Sequence, residues 1–435
     1  MPDSKKLKVF YADFGCRLNQ FETRVLKNSP AAGLVTTKNQ HEADYIVINT
    51  CTVTNRADVK NRQAIRRARL ANPHAHIIVT GCQATSDPET LTEMPEVNTV
   101  VANSQKFTIP DFILGNTIDH TVRPFPVSNQ NLQQSARAYL KIQDGCNKRC
   151  SYCKIPVSRG RAVSREMNDT LAEVRTLAGA GFHEIILTGI NIGHYRDGKN
   201  RLPDLLKRLQ DVEGDHYYRI SSIEPDSVDS EFLDLLASEK FARFLHVPVQ
   251  SGSNAVLKVM RRGYEAERYA AIIEEAKARI PGIHIGTDII VGFPGESEAD
   301  FEKSRALVEK LEFANVHIFP FSKRSGSEID RVLSQKTKDI PSGESSTVFT
   351  EIPGDTVKKR VKVLTDLQET NKVKYLEKIS GTVVRAIVEK STGDMARIVT
   401  ENYLKGELPL PGAPQKGQLV RVTCNFPLGF TAALA

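Results

Sequence analysis

No apolar run in the 435-residue chain approaches the roughly 20 residues that a membrane-spanning helix needs, and the run from Ile283 to Pro294 is interrupted by Asp288. The first residues, Met1-Pro2-Asp3-Ser4-Lys5-Lys6, hold no apolar signal core, so a cytoplasmic protein without a membrane partner is expected. Tryptophan is absent. The rest of the composition, 40% hydrophobic and 26% charged, is ordinary for a globular chain and excludes wholesale disorder or a collagen-like repeat. Neither sign of charge dominates: a net charge of +7 is compatible with a nucleic-acid partner but does not identify one. Cysteine is sparse, and its count of seven is odd. In a reducing compartment such thiols serve as metal ligands or nucleophiles more readily than as disulfides.

Domains of about 100–200 residues put two to four of them in this length. Residues 1–130 alternate short apolar runs with polar helical stretches. The runs at 7–11, 45–49 and 76–80 are rich in β-branched residues and each leads into a Gly or Thr, the pattern of a buried parallel strand ending in a loop. A polar linker is expected at 129–135. Strand patterns then recur at 139–143, 184–188, 218–223, 244–249, 284–291 and 315–319, with helix patterns at 167–180, 202–212, 229–238, 265–279 and 298–311. This alternation implies a parallel sheet covered by helices, with chemistry at the strand carboxyl ends. A Ser/Thr-rich stretch at 334–350 reads as an exposed loop and 355–378 as a long charged helix. Strand-like runs at 381–389, 396–400 and 418–425 follow between Gly/Pro turns. The expected fold class is α/β: an open parallel α/β domain over 1–130, a partial (βα)6 barrel with a helical extension over 131–370, and a small all-β domain over 371–435.

Cys146, Cys150 and Cys153 lie in GCNKRCSYC (145–153), directly after the first strand of the repeat. Three thiols within eight residues cannot pair off, and zinc would need a fourth donor such as His183 or His194. A [4Fe–4S] cluster on three thiolates instead keeps one iron open for a substrate or cofactor. Cys16, Cys51 and Cys82 are far apart in sequence, yet each follows one of the first three apolar runs within a few residues. If those runs are parallel strands of one sheet, the thiols converge on one edge and make a second three-thiolate site. Gly15 and Gly81 would let the backbone turn beside a bulky ligand. The alternative is three unrelated core thiols. Cys424, in a strand-like run with no partner in sequence, reads as structural.

The C-x3-C-x2-C loop at a strand end, with Tyr152 before its last cysteine, resembles the radical SAM (S-adenosylmethionine) superfamily. There the open iron chelates SAM, and an electron from the cluster cleaves it to a 5′-deoxyadenosyl radical. The resemblance implies SAM contacts from Tyr152, from Thr188 and Gly189 after the second barrel strand, from Glu224 in SSIEP (221–225), from Gln250 in VPVQSG (247–252) and from Asp288 in TDIIVGFPGE (287–296). A three-cysteine first domain, a radical SAM core and a terminal β module together resemble the methylthiotransferases over essentially the whole chain. That resemblance implies a TRAM-like, RNA-binding last domain, two [4Fe–4S] clusters, SAM as methyl donor and as radical source, an external electron donor, and a monomer acting on the anticodon loop of tRNA.

The segments GCRLNQFET (15–23), CTVTNRAD (51–58) and KIQDGCN (141–147) are similar to one branch of that family. That branch converts N6-threonylcarbamoyladenosine at tRNA position 37 to its 2-methylthio derivative. Sister branches act on isopentenyladenosine in tRNA or on an aspartate of a ribosomal protein. A reading from another class is a zinc-stabilised RNA-binding protein without catalysis. On a helix over 56–69, Arg62, Arg66 and Arg69 would share one face able to meet a phosphate backbone, or form a solvated basic face. The stretch 334–354 departs from the family in being longer than its usual connection.

Overall fold

The computed structural model describes residues 6–28, 31–117, 125–126, 135–335, 350–410, 412, 414–427 and 429–432; the linker expected at 129–135, apart from Ser135, and most of the 334–350 loop lie outside them. The chain parts into two compact units, one of residues 1–131, 144–163 and 322–330, the other of 132–143, 164–321 and 331–435. No helix among the described residues is long and apolar enough to cross a membrane.

The first unit is built on a parallel sheet of β1 (Leu7–Asp13), β2 (Leu34–Thr36), β3 (Tyr45–Thr50), β4 (His76–Gly81) and β5 (Thr99–Val100), in the order β2-β1-β3-β4-β5. Its central strands are buried on both faces. Ile46, Ile48, Ile77 and Val79 pack on one side with Ile65 and Leu91, while Val47 and Ile78 pack on the other with Val9, Leu26 and Ile113. Double burial makes each run continuously apolar, which is why these strands were visible without any alternation. Each fully buried Ile or Val contributes about 1.5–3 kcal/mol relative to exposure. The strand order reverses between β1 and β3, and ligands of such sheets bind outside the carboxyl ends at that switch point.

The second unit holds six parallel strands, β6 (Ala138–Lys141), β7 (Glu184–Thr188), β8 (Tyr217–Ile220), β9 (Phe244–His246), β10 (His284–Val291) and β11 (Asn315–Pro320). They pair as two triplets that meet where Ala242 N–H donates to Tyr218 O (2.8 Å) and Ile223 N–H to His246 O (3.0 Å). Helices Met167–Gly179, Leu202–Gln210, Ser230–Leu236, Ala266–Arg279 and Glu298–Lys310 alternate with the strands and bury Leu187, Ile220, Leu245, Ile285 and Ile289 beneath them. This is the partial (βα)6 barrel that the strand–helix rhythm implies.

After the helix Gly354–Ile379 comes an antiparallel sheet of β12 (Val383–Thr392), β13 (Met395–Thr400), β14 (Lys405–Pro409), β15 (Leu419–Asn425) and β16 (Gly429–Ala432), in the order β14-β13-β12-β15-β16. β14 and β16 are additions to the sequence reading. Gly406 within β14 breaks the strand pattern, and a Cβ there would lie 2.2 Å from the Phe430 ring, so packing against β16 demands the glycine.

This β module closes the amino-terminal end of the barrel. Arg219, fully buried on β8, donates to the backbone oxygens of Glu401 (2.9 Å) and Thr400 (3.0 Å) and lies over the rings of Tyr403 and Phe244. Beside it, His284 Nδ1–H donates to Asn402 O at 2.7 Å, and the imidazole stacks on Tyr375 with 4.6 Å between centroids. Its Nε2 is buried without a partner among the described residues. Burial therefore pushes the imidazole down to about 4. Between pH 6.5 and 4 the unfolded chain takes a proton that the folded chain refuses, so stability falls as pH drops through that window, by about 3 kcal/mol for this group. In His284→Gln, the change in urea midpoint between pH 7 and pH 5 is expected to be smaller than in the parent. Equal changes would refute this role.

Candidate functional site

Cys16 lies three residues beyond β1, Cys51 directly follows β3 and Cys82 directly follows β4, all at the switch-point edge of the first unit's sheet. The loops are pinned by side chains. Asn19 Nδ2–H donates to both Phe14 O and Thr50 O (2.9 Å each), Thr50 Oγ1–H to Thr80 O (2.6 Å), and Asn61 Nδ2–H to Cys51 O (2.6 Å) and Gln83 Oε1 (2.7 Å). Cys51 feels the charges of both Cys16 and Cys82, so the three thiols converge. Gly15 sits at φ +92°, where an added Cβ would lie 2.3 Å from the Cys51 Cβ and 2.4 Å from its sulfur; Gly81, at φ +99°, would meet Thr50 O at 2.4 Å.

Burial pushes the Cys51 thiol up to about 11. It also raises Cys82, against the opposing pull of Arg159 and Lys106. Two buried thiols in this state stay protonated at neutral pH until a metal displaces the protons. Thr80 Oγ1, Gln83 Nε2 and Arg159 Nε are buried without hydrogen-bond partners among the described residues, leaving donors in the first unit for sulfides to use. The residues present fit an iron–sulfur cluster.

The loop carrying Cys146, Cys150 and Cys153 also belongs to the first unit, and its three thiols are half-buried. Backbone amides point at sulfur: Lys148 N–H to Cys146 Sγ and Ile155 N–H to Cys153 Sγ, both at 3.4 Å. Amide donors favour thiolate and suit a cluster. Gly145, at φ +68°, packs where a Cβ would lie 2.1 Å from Arg161 O. Tyr152 is half-buried in the same loop. The segment 322–330 braces both cysteine regions: Ile329 N–H donates to Ser151 O (3.0 Å), and buried Arg324 donates to Asn55 Oδ1 (2.7 Å), Asp58 Oδ2 (2.8 Å) and Thr52 Oγ1. His183, offered as a zinc donor, has its Nδ1 committed to Asp215 O at 2.6 Å.

The remaining candidates line the strand carboxyl ends of the barrel. Thr188 ends β7 opposite Lys141, and a Cβ on Gly189 would lie 2.8 Å from Gln143 O. Glu224 is ion-paired with Arg262 at 2.7 Å. Gln250 holds φ +73°, a conformation costly for a non-glycine residue, and bridges to β10 through Gln250 N–H to Asp288 O and Ile290 N–H to Gln250 O. Asp288 Oδ1 accepts from His246 Nε2 (3.0 Å) and faces His317 Nδ1 (3.2 Å); Ser222 Oγ lies 2.8 Å from His246 Nδ1. Burial disfavours the Asp288 carboxylate, but the two imidazoles more than offset it and bring the group down to about 2. His246 and His317 escaped the sequence reading. Their signal was present: each is a polar residue alternating with buried Leu245 and Val247 or with Val316, on strands that flank β10.

Residues 55–71 form the expected helix, capped by Thr54 Oγ1 accepting from Ala57 N–H (3.2 Å). Its basic face is smaller than the spacing implies. Arg69 is spent on the carbonyls of Pro73, Ala75 and Glu96 and on Asn98, and Arg66 lies 3.7 Å from Glu96. Arg56, Lys60 and Arg67 remain exposed.

Two family models match the chain: the one described as Radical SAM superfamily over residues 140–308, and the one described as Uncharacterized protein family UPF0004 over residues 8–102. The Threonylcarbamoyladenosine tRNA methylthiotransferase MtaB of Aquifex aeolicus (strain VF5) is 35% identical over 431 residues, covering 96% of this chain and 100% of that protein. The tRNA-2-methylthio-N(6)-dimethylallyladenosine synthase of Thermodesulfovibrio yellowstonii is 32% identical over 347 residues, 76% of this chain and 80% of that one. Among solved structures, the radical S-adenosylmethionine methyltransferase TsrM from Kitasatospora setae aligns with a TM-score of 0.60 at 15% identity, covering 82% of each chain, a likeness of fold alone.

Proposed function

Because the chain belongs to the radical SAM methylthiotransferases of the threonylcarbamoyladenosine MtaB family, we propose that it converts N6-threonylcarbamoyladenosine at position 37 of tRNA to its 2-methylthio derivative. The observation that carries the chemistry is the pairing of two three-thiol sites in one compact unit. In this reading Cys146, Cys150 and Cys153 hold the SAM-cleaving cluster, and Cys16, Cys51 and Cys82 hold the cluster that carries the sulfur. When bound, the two [4Fe–4S] clusters and SAM supply the radical that takes hydrogen from carbon 2 of the adenine and the methylthio group that replaces it. A ring C–H of this kind has no acidity that a side-chain base exploits, so the protein's part is to bind, orient and exclude water. Tyr152, Thr188, Gly189, Glu224, Gln250 and Asp288 are assigned to SAM, and Arg56, Lys60 and Arg67 to tRNA phosphates.

The threonylcarbamoyl substrate is supported by the end-to-end similarity to the Aquifex protein. The second reading, isopentenyladenosine-37, draws on the similarity to the Thermodesulfovibrio synthase. Anaerobically reconstituted protein, SAM and a reductant are to be incubated with tRNAs bearing either nucleoside, followed by nucleoside mass spectrometry. Methylthiolation of the threonylcarbamoyl tRNA alone is expected; methylthiolation of the isopentenyl tRNA alone would overturn the substrate. Gly15→Ala, which drives a Cβ into Cys51, is expected to lower reconstituted iron from about eight to about four per chain. Full iron in that variant would remove Cys51 from the ligand set.

A further inference from the structure

Behind the converging thiols, the first unit buries charges whose purpose the thiol geometry leaves open. Lys106 Nζ donates to Glu22 Oε2 at 2.5 Å and to Asn49 Oδ1 at 3.3 Å. Arg159 ends the short helix Ile155–Arg159 that follows the C-x3-C-x2-C loop. Its two terminal nitrogens donate to Glu22 (3.0 and 3.1 Å), to Asp144 (3.1 Å) and to Asn19 Oδ1 (2.6 Å). The side chains of Glu22, Lys106 and Arg159 are at most 1% exposed. Desolvating each ion costs several kcal/mol, and a buried pair of this kind is weak evidence of a stabilising role.

Two observations point from this network towards the thiols. Arg159 is held by Asn19, whose amide donates to Thr50 O, one residue before Cys51, and Lys106 is held by Asn49 Oδ1, which lies 2.5 Å from where a Cβ would stand on Gly81, one residue before Cys82. Arg159 Nε is buried and has no hydrogen-bond partner among the described residues, although both terminal nitrogens of the same guanidinium are fully engaged. A buried donor without an acceptor is costly, and an anionic, sulfur-rich ligand on Cys16, Cys51 and Cys82 would both supply the acceptor and answer the charge.

We infer that Arg159 and Lys106 form a cation pair serving the Cys16–Cys51–Cys82 site, with Arg159 as the positioning residue that fastens the end of the SAM-cluster loop to Asn19 and Glu22 and turns fixed positive charge onto the auxiliary cluster. The inference rests on the assignment of that cluster to these thiols. A guanidinium cannot shed its charge, so the effect persists at every working pH. Fixed positive charge favours the reduced, more negative form of a cluster and raises its potential; Glu22 works in the opposite sense.

The test uses the full chain with Cys146, Cys150 and Cys153 replaced by Ala, so that only the auxiliary cluster titrates, with its reduced fraction followed by electron paramagnetic resonance at fixed potentials. Adding Arg159→Gln is expected to lower the reduced-to-oxidised ratio about tenfold, equivalent to about 59 mV for one electron. Lys106→Met, which leaves the guanidinium fork intact, should lower it too. Glu22→Gln should raise it, and Arg159→Lys should leave it near the parent value. Unmoved ratios in Arg159→Gln and Glu22→Gln would overturn the inference. So would loss of the cluster from Arg159→Lys as well as Arg159→Gln, which would make the fork a scaffold and nothing more. Absence of iron from the parent triple variant would instead refute the cluster assignment and take the inference with it.

Discussion

Replacing Cys146, Cys150 and Cys153 together by Ala is expected to halve the iron taken up on anaerobic reconstitution, from about eight to about four per chain, and to abolish formation of 5′-deoxyadenosine. The expectation follows from how the loop is made. Amides of Lys148 and Ile155 are aimed at two of its sulfurs, and Gly145 lets the backbone pass within contact of Arg161. The loop is braced by Ile329 N–H on Ser151 O and by Cys146 N–H on Gly160 O (3.1 Å), contacts that the three Ala substitutions leave in place, so the variant should fold. Continued production of 5′-deoxyadenosine by the triple variant would sink the assignment.

The complementary variant, with Cys16, Cys51 and Cys82 replaced by Ala, should give the opposite dissociation. It is expected to hold about four irons, to go on cleaving SAM and to form no methylthio product. The reason is local: these thiols stand at the ends of β1, β3 and β4, with hydrogen bonds from Asn19, Thr50 and Asn61 fixing the loops by backbone oxygens and not by the sulfurs themselves. Removing two buried sulfurs, 3% exposed in each case, costs packing as well, so a lower thermal midpoint is expected alongside. Retained methylthiolation would show that the sulfur enters from elsewhere. Loss of SAM cleavage in the same variant would mean that the two sites cannot be separated, contrary to the division of labour proposed here.

How much of this was legible follows from what each residue answers to. Buried parallel strands announce themselves locally, because both faces are apolar; the segments at β1, β3, β4, β7 and β10 were readable for that reason. Convergence of Cys16, Cys51 and Cys82 needed only the further step that parallel strands end on one edge. β14 was hidden by Gly406, whose presence is explained by Phe430 on a strand 24 residues away in sequence. The ion network around Glu22 was illegible for a deeper reason: its partners Lys106 and Arg159 are 84 and 137 residues distant, and a charged residue in an isolated stretch of sequence defaults to the surface. The same default over-read Arg69, whose guanidinium is consumed by carbonyls of the following loop. His246 and His317 were missed because Asp288 was read by itself as a SAM contact, and only the pairing of β9, β10 and β11 sets the three side by side.

The most direct test of the central claim, that two three-thiol sites act together on a hypermodified adenosine, is nucleoside mass spectrometry of bulk tRNA from cells in which the gene has been deleted. Expected is the disappearance of 2-methylthio-N6-threonylcarbamoyladenosine with accumulation of N6-threonylcarbamoyladenosine, restored by the parent gene and by neither cysteine-to-alanine variant. Unchanged 2-methylthio-N6-threonylcarbamoyladenosine in the deletion strain would contradict it.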